Sequence, residues 1–260
     1  GNYRDQRHEL HVELSALLAS PPDNEQLDYI VTLVQEQAMP ESDGIILRED
    51  ILQRFGVTSD RDLFPAPPEL EPLTNMFFRE QHAELQASIL NAAHPVLIHA
   101  GGGVGKSVVA QQIATSLPAG FRGIVYDCFG GGKYRNRSKT RHHHRQALVQ
   151  IANELAANGL CAPLIPKTTD PDDALMRAFL NRLKVSATSL QAINPSALIV
   201  ILIDAADNAE EAAREYHDTC FAHQLLREDI PQGCRLVALC RKEQRHLLNP
   251  LSRVLQIELN

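Results

Sequence analysis

The sequence predicts an α/β fold in three layers, with a five-stranded, mainly parallel sheet between helices and a small helical region before it. Short apolar runs alternate with amphipathic helical patterns from residue 96 onward. One run, 197–203, is apolar throughout, as expected for a strand that is buried on both faces. At 260 residues, of which 44% are hydrophobic, the chain can bury such a core.

Residues 1–66 form the first predicted unit, a helical linker or accessory region. Apolar residues recur there at helical spacing in three successive segments. Ser42 or Asp43 is expected to cap the third helix, because short polar side chains accept hydrogen bonds from the first helical N–H groups. The proline-rich run 64–68 predicts a stiff, extended connection to a second unit, 67–260.

The most informative motif is the stretch Ala100–Ser107, which follows an apolar strand and opens a helix. It fits the pattern G-x-x-x-x-G-K-[ST], with Ala100 in place of the first glycine. Glycines let the backbone curl so that its N–H groups face phosphates, Lys106 reaches the same phosphates, and the Ser107 hydroxyl binds Mg²⁺. The residues expected to contact the nucleotide here are Gly101, Gly102, Gly103, Val104, Gly105, Lys106, Ser107 and Val108.

The elements around this loop follow from the same periodicity. A helix over 73–91 is expected to lead into the first strand. The later strands are predicted at 123–129, 197–203, 234–240 and 253–259, with helices at 145–158, from Asp170 onward and at 209–228.

The strand 197–203 ends in Asp204, roughly 100 residues after the loop. A carboxylate at the carboxyl edge of a parallel sheet lies on the side of the phosphate loop and can order Mg²⁺, often through water. Together the two motifs predict a P-loop NTPase domain with Mg²⁺ and ATP or ADP as cofactors. ATP is favoured over GTP because no Asn-Lys-x-Asp guanine motif is present.

The residues after Asp204 indicate which class of P-loop NTPase the chain resembles. Ala205 comes next, and the following acid is Asp207. This resembles the NACHT branch of the STAND NTPases, in which a small residue follows the Mg²⁺ aspartate and a further acid lies downstream. The resemblance implies that Asp207 positions water or acts as a general base, whereas the simpler alternative is a helix N-cap. Two departures are Ala205, where Gly is commoner, and Asn208, where a second acid is frequent.

Two arginines extend the resemblance, which covers about 73–260. Arg241 follows the strand 234–240, and in STAND proteins the arginine at this place senses the γ-phosphate; the alternative is a surface arginine. Arg79 lies in a segment in which aromatic residues precede Arg and Glu, and it matches a STAND position close to the nucleotide. The alternative is that Arg79 is a solvated residue at the start of a helix.

The resemblance implies a regulatory ATPase that hydrolyses ATP slowly and, with a trigger ligand, forms a homo-oligomer that activates an effector. STAND proteins of this build act in prokaryotic antiviral defence, so a viral protein is one trigger to consider. The alternatives are an ordinary P-loop kinase or AAA-type ATPase, and a non-catalytic nucleotide-binding scaffold. Five cysteines without a C-x-x-C pair and no long apolar run favour a cytoplasmic protein that does not enter membranes. We expect the chain to be part of a longer protein, cut before a lid or winged-helix module.

A basic segment, 133–145, holds six Lys or Arg, three His and no acid. It predicts a solvated loop, a contact with nucleotide or another subunit, or a nucleic-acid contact, the last disfavoured by the net charge of −7. Its consecutive histidines, His142–His144, would point in different directions on a helix and suit a metal poorly. His217, Cys220 and His223 lie at three-residue steps on one predicted helix, but a fourth zinc ligand is missing.

Overall fold

The computed structural model describes residues 3–73 and 80–259. Its centre is one five-stranded sheet in the order β2-β3-β4-β1-β5, and every neighbouring pair is parallel. The strands are β1 Val96–Ala100, β2 Arg122–Asp127, β3 Ile199–Asp204, β4 Cys234–Arg241 and β5 Leu255–Glu258. The predicted three-layer α/β fold is confirmed, and the sheet is wholly parallel.

Helices precede the sheet and cover both of its faces. They are α1 Tyr3–Leu17, α2 Asn24–Gln37, α3 Arg48–Arg54, α4 Asp60–Leu63, α5 His82–Asn91, α6 Lys106–Thr115, α7 His144–Ala157, α8 Asp172–Ile193, α9 Ala206–Tyr216 and α10 Phe221–Leu225. Short 3₁₀ turns occur at Gly130–Gly132, Arg137–Lys139 and Lys242–Leu248. Within 3–73 and 80–259, none of these helices is both long enough and apolar enough to cross a bilayer.

The sheet separates two apolar clusters, and alternate side chains of β1 to β4 enter opposite ones. In β3, Ile201 joins the cluster that contains residues of α7 and α8, while Leu202 joins the one that contains residues of α5 and α6. All six residues of β3 are buried. This burial on both faces explains why the sequence of β3 is a continuous run of apolar residues.

Two sequence predictions about helices are wrong. The helix predicted at 209–228 is broken, because His217 takes a left-handed conformation (φ 60°) and ends α9 before α10 begins. Neither Ser42 nor Asp43 caps a helix: α3 begins at Arg48, and the Asp43 carboxylate accepts the N–H of Ile45 in a turn.

The helical region before the sheet is attached to α7 and to the segment before α8. The Glu13 carboxylate accepts both the N–H (3.1 Å) and the hydroxyl (2.8 Å) of Thr168. Arg61 pairs with the buried Glu154 of α7 at 3.1 Å. The proline-rich segment predicted as a linker is extended but docked, since the buried Ala66 donates its N–H to a Gln150 side chain of α7.

Candidate nucleotide-binding site

The phosphate loop turns the chain from β1 into α6 through two left-handed glycines, Gly103 (φ 74°) and Gly105 (φ 85°). Only glycine takes such angles without strain, so the glycine spacing follows directly from the turn. A Cβ atom at Gly102 or Gly103 would meet no atom within 4 Å, so this side of the loop is open. Val104 packs under the loop, against the cluster shared with α6.

Lys106 is the first residue of α6, and its side chain folds back over the loop. The ammonium Nζ donates to the carbonyl of Gly101 at 2.7 Å and to that of Ala100 at 3.3 Å. An ammonium has three donors, so one N–H is left for an anion beside the loop. This places the positive charge where the motif requires it.

Ser107 and Asp204 come together from different elements, the start of α6 and the end of β3. The Ser107 hydroxyl lies close enough to the Asp204 carboxylate to stabilise its charged form. Asp204 is 1% exposed, and its Oδ2 atom has no hydrogen-bond partner among the described residues. Burial, with the nearby Asp127, raises the pKa of Asp204 to about 6 against the opposing effect of Ser107. A hydroxyl beside a buried carboxylate with an open oxygen is a donor set that fits Mg²⁺.

Asp127 is a second buried carboxylate at this edge, and the sequence reasoning missed it. It ends β2 in register with Asp204, its neighbour on β3. It accepts the N–H groups of Glu69 at 3.1 Å and of Gly130 at 3.1 Å, and an Arg141 nitrogen lies 3.9 Å away. The signal was an acid at the end of an apolar strand, as for Asp204. Asp127 therefore organises the loop after β2 and adds negative potential beside Asp204.

Arg241 is the register partner of Ala100, so β4 places it beside the phosphate loop. Its guanidinium pairs with Asp207 and donates to Asn208 Oδ1 and Glu211 Oε1, each at 2.8 Å. Burial lowers the pKa of Arg241, but the carboxylates of Asp207 and Glu211 outweigh it and the net shift is upward. The structure thus brings the two residues predicted to act on the γ-phosphate together, in contact with each other.

Asp207 does not cap α9. The N-cap position belongs to Ala205, which takes a left-handed conformation (φ 52°), and no side chain caps the helix there. The alternative interpretation of Asp207 as an N-cap is therefore wrong. The left-handed angle also supplies a physical reason for glycine to be the commoner residue in place of Ala205.

Arg79 and the aromatic residues before it lie outside the described residues. Their expected contact with the nucleotide therefore stays a prediction. Val108, the last loop-side residue predicted to contact the nucleotide, is 41% exposed in the first turn of α6.

The basic segment folds back onto the protein, and most of its cations have partners. Lys133 pairs with Glu69 (2.6 Å), and Arg135 lies 3.5 Å from Glu211. The buried Arg141 donates to the carbonyls of Asp127 and Pro67, and Arg137 stacks over the Tyr216 ring at 4.8 Å. Lys133, Arg135, Arg137 and Lys139 remain exposed, so these contacts hold the segment against the protein without removing it from solvent. Because Glu211 contacts both Arg135 and Arg241, the segment connects to the predicted site.

The comparison with protein families agrees with this geometry. The model of the family described as "Nephrocystin 3, N-terminal" matches residues 77–241, more than half of the chain. The match contains the phosphate loop, Asp204 and Asp207, and it ends at Arg241. A comparison with curated proteins finds no significant match. The chain therefore belongs to the nephrocystin 3 N-terminal family, which is related to the NACHT branch of the STAND NTPases.

Proposed function

We propose that the chain is the ATP-binding, slowly hydrolysing switch domain of a regulatory protein. The observation that carries this proposal is the contact between Ser107 and Asp204, with an open Asp204 oxygen, beside the phosphate loop. A glycine-rich loop, a lysine at its end and a hydroxyl–carboxylate pair are the parts that bind a nucleoside triphosphate with Mg²⁺.

Each part has a separate role in binding. The loop N–H groups and the Lys106 ammonium would contact the phosphates, and the start of α6 adds the positive end of a helix dipole. Ser107 and Asp204 would hold Mg²⁺, which neutralises phosphate charge when it is bound. Asp127 keeps the negative potential of this pocket high, which favours a divalent cation.

Slow turnover is supported by the pairing of Arg241 with Asp207. For Arg241 to stabilise a γ-phosphate, its guanidinium would have to exchange acceptors on α9 for phosphate oxygens. The nucleotide would thereby change the contacts of α9, and a change of state of this kind is what a switch needs. The same pairing favours a second candidate, a non-catalytic nucleotide-binding scaffold.

The wider function rests on the family resemblance. A switch of this kind would form a homo-oligomer and activate an effector when a trigger ligand binds, in the cytoplasm. Antiviral defence, with a viral protein as the trigger, is the biological role that we propose on the STAND resemblance.

The test is the Mg²⁺ dependence of ATP binding. We expect calorimetric titration to show that the wild type binds ATP more weakly when EDTA replaces Mg²⁺. The ATP affinity of Ser107→Ala should change little between Mg²⁺ and EDTA. Ser189→Ala, a serine on α8, is the matched control and should behave as the wild type. Equal Mg²⁺ dependence in Ser107→Ala and wild type would contradict the assignment of the metal site.

The fate of the γ-phosphate separates the candidate activities. Slow release of inorganic phosphate from γ-labelled ATP supports the switch. ADP retained with no phosphate release supports the scaffold, and label transferred to a metabolite supports a kinase.

A further inference from the structure

Two consecutive histidines and one aspartate converge at the start of α7. His142 and His143 lie before this helix, and the backbone of His143 is extended (φ −73°, ψ 145°). Their rings therefore do not diverge as on a helix; the ring centroids are 4.1 Å apart with planes inclined by 37°. The expectation that His142–His144 suit a metal poorly assumed a helix, and this premise fails for the first two residues because the helix begins only at His144.

The two imidazoles share one carboxylate oxygen. His142 Nε2 lies 3.1 Å from Asp218 Oδ2, and His143 Nε2 lies 3.6 Å from the same atom. One ligand atom from each of the three residues lies within 4.8 Å of the other two. Ligands at about 2.0–2.1 Å around a tetrahedral zinc ion stand roughly 3.3–3.4 Å apart. The two observed distances bracket this separation.

Burial and exposure also fit a metal site. His142 is fully buried, whereas His143 and Asp218 have side chains that are 35% and 36% exposed, so water can complete the coordination. Two imidazole nitrogens, one carboxylate oxygen and a solvent-facing side match an open zinc site.

We propose that His142, His143 and Asp218 form a zinc-binding site that clamps the start of α7 to the segment following α9. The α9 helix carries Asp207 and Glu211, two of the partners of Arg241, so the ion would fix the far end of the element that holds this arginine. The zinc site stands on its own geometry and requires no nucleotide.

A second cluster nearby, made of Glu210, Cys220 and His223, is the main competitor for zinc. Glu210 Oε1 already accepts the backbone N–H of His223 at 3.0 Å and contacts its ring nitrogen at 2.9 Å. Glu210 and Cys220 are both buried, so this cluster offers an ion less access to solvent than the cluster that contains His143 and Asp218. His217 does not join this cluster, since it lies at the break between α9 and α10.

The test is calorimetric titration of the tag-free protein with zinc chloride, in buffer without nucleotide. We expect saturable binding of one ion per chain, weakened by more than about tenfold in His143→Ala and in Asp218→Asn, since loss of even an outer-shell partner of a metal costs this much. The matched control is His94→Ala, an exposed histidine just before β1. It should retain wild-type affinity.

Two further measurements keep the outcome decisive. Zinc should raise the thermal unfolding midpoint of the wild type but not that of His143→Ala. Because the His143 side chain is partly exposed, we expect this variant to fold normally, and circular dichroism checks its fold. The cobalt-substituted protein should show no thiolate-to-cobalt charge-transfer band. Unchanged affinity in His143→Ala, no saturable binding, or a thiolate band that places the ion at Cys220 would overturn the site.

Discussion

Arg241 and Asp207 form an ion pair at the carboxyl edge of the sheet, between the phosphate loop and α9. Asp207 is almost fully buried, whereas 36% of the Arg241 side chain is exposed. Two residues that the sequence assigns to the γ-phosphate thus satisfy each other's charge. This relationship makes the position of α9 sensitive to whatever competes for the arginine.

Removing either partner should destabilise the protein by different amounts. Arg241→Gln leaves the Asp207 carboxylate buried without its cation, whereas Asp207→Asn keeps an oxygen acceptor for the guanidinium. We expect Arg241→Gln to lower the free energy of unfolding by about 1–3 kcal/mol. This is less than the loss of a fully buried ion pair would cost, because the Arg241 side chain is partly exposed. Asp207→Asn should cause a smaller loss. Urea denaturation measures both.

Arg177→Gln is the control for this comparison. Arg177 pairs with Asp173 on the surface of α8 at 3.4 Å, with both side chains more than two-thirds exposed. Its loss should change stability by less than about 0.5 kcal/mol. Equal effects of Arg241→Gln and Arg177→Gln would mean that the buried pair contributes no more than a surface contact.

The loop glycines differ in conformation and not in the space around them. Gly102 and Gly103 both have room for a Cβ atom, but only Gly103 has a positive φ, of 74°. Gly103→Ala should therefore lower the free energy of unfolding by about 1–2 kcal/mol, and Gly102→Ala by much less. Chemical denaturation without nucleotide checks this difference. Indistinguishable variants would show that the loop does not need the left-handed angle at Gly103.

The raised pKa of Asp204 predicts a specific pH dependence. A carboxyl whose pKa is higher in the folded state binds more protons there, so its contribution to stability falls as pH rises from about 4 to above 6. Asp204→Asn removes this loss. We expect the variant to be more stable than the wild type at pH 7, by up to about 3 kcal/mol, with the gap closing towards pH 4.

Denaturation in EDTA over this pH range measures the Asp204 effect. Using the difference between the two proteins cancels the opposite contribution of His142, whose lowered pKa destabilises the fold as the pH falls. A gap that is independent of pH would contradict the raised pKa.

The sheet could be predicted from the sequence because strands that are buried on both faces have continuous apolar sequences. The run 197–203 and the glycine-rich loop each identify their element without tertiary information. The break at His217 could not be predicted in this way, since no glycine or proline marks it. The apolar residues of α10 continue the pattern of a single helix, and a tertiary contact, the N–H of Phe221 to the carbonyl of His142, fixes the new segment.

The parts of the candidate site that lie within one sequence motif could be predicted. The contacts between residues that are distant in sequence and are brought together by the order of the strands could not. The phosphate loop predicts Lys106 and Ser107 at once. The contact of Arg241 with Asp207 joins residues 34 positions apart through the order of the strands. The convergence of His142 and His143 depended on a helix boundary, and boundaries are the least certain part of a periodic pattern.

The most direct measurement is the ATP affinity of Lys106→Ala compared with that of Lys184→Ala, an exposed lysine on α8. Calorimetric titration in Mg²⁺ should give wild-type affinity for Lys184→Ala. It should give a loss of at least about tenfold, equivalent to 1.4 kcal/mol, for Lys106→Ala, because the ammonium beside the loop is removed. Unchanged affinity of Lys106→Ala would contradict the assignment of this loop as the nucleotide-binding site.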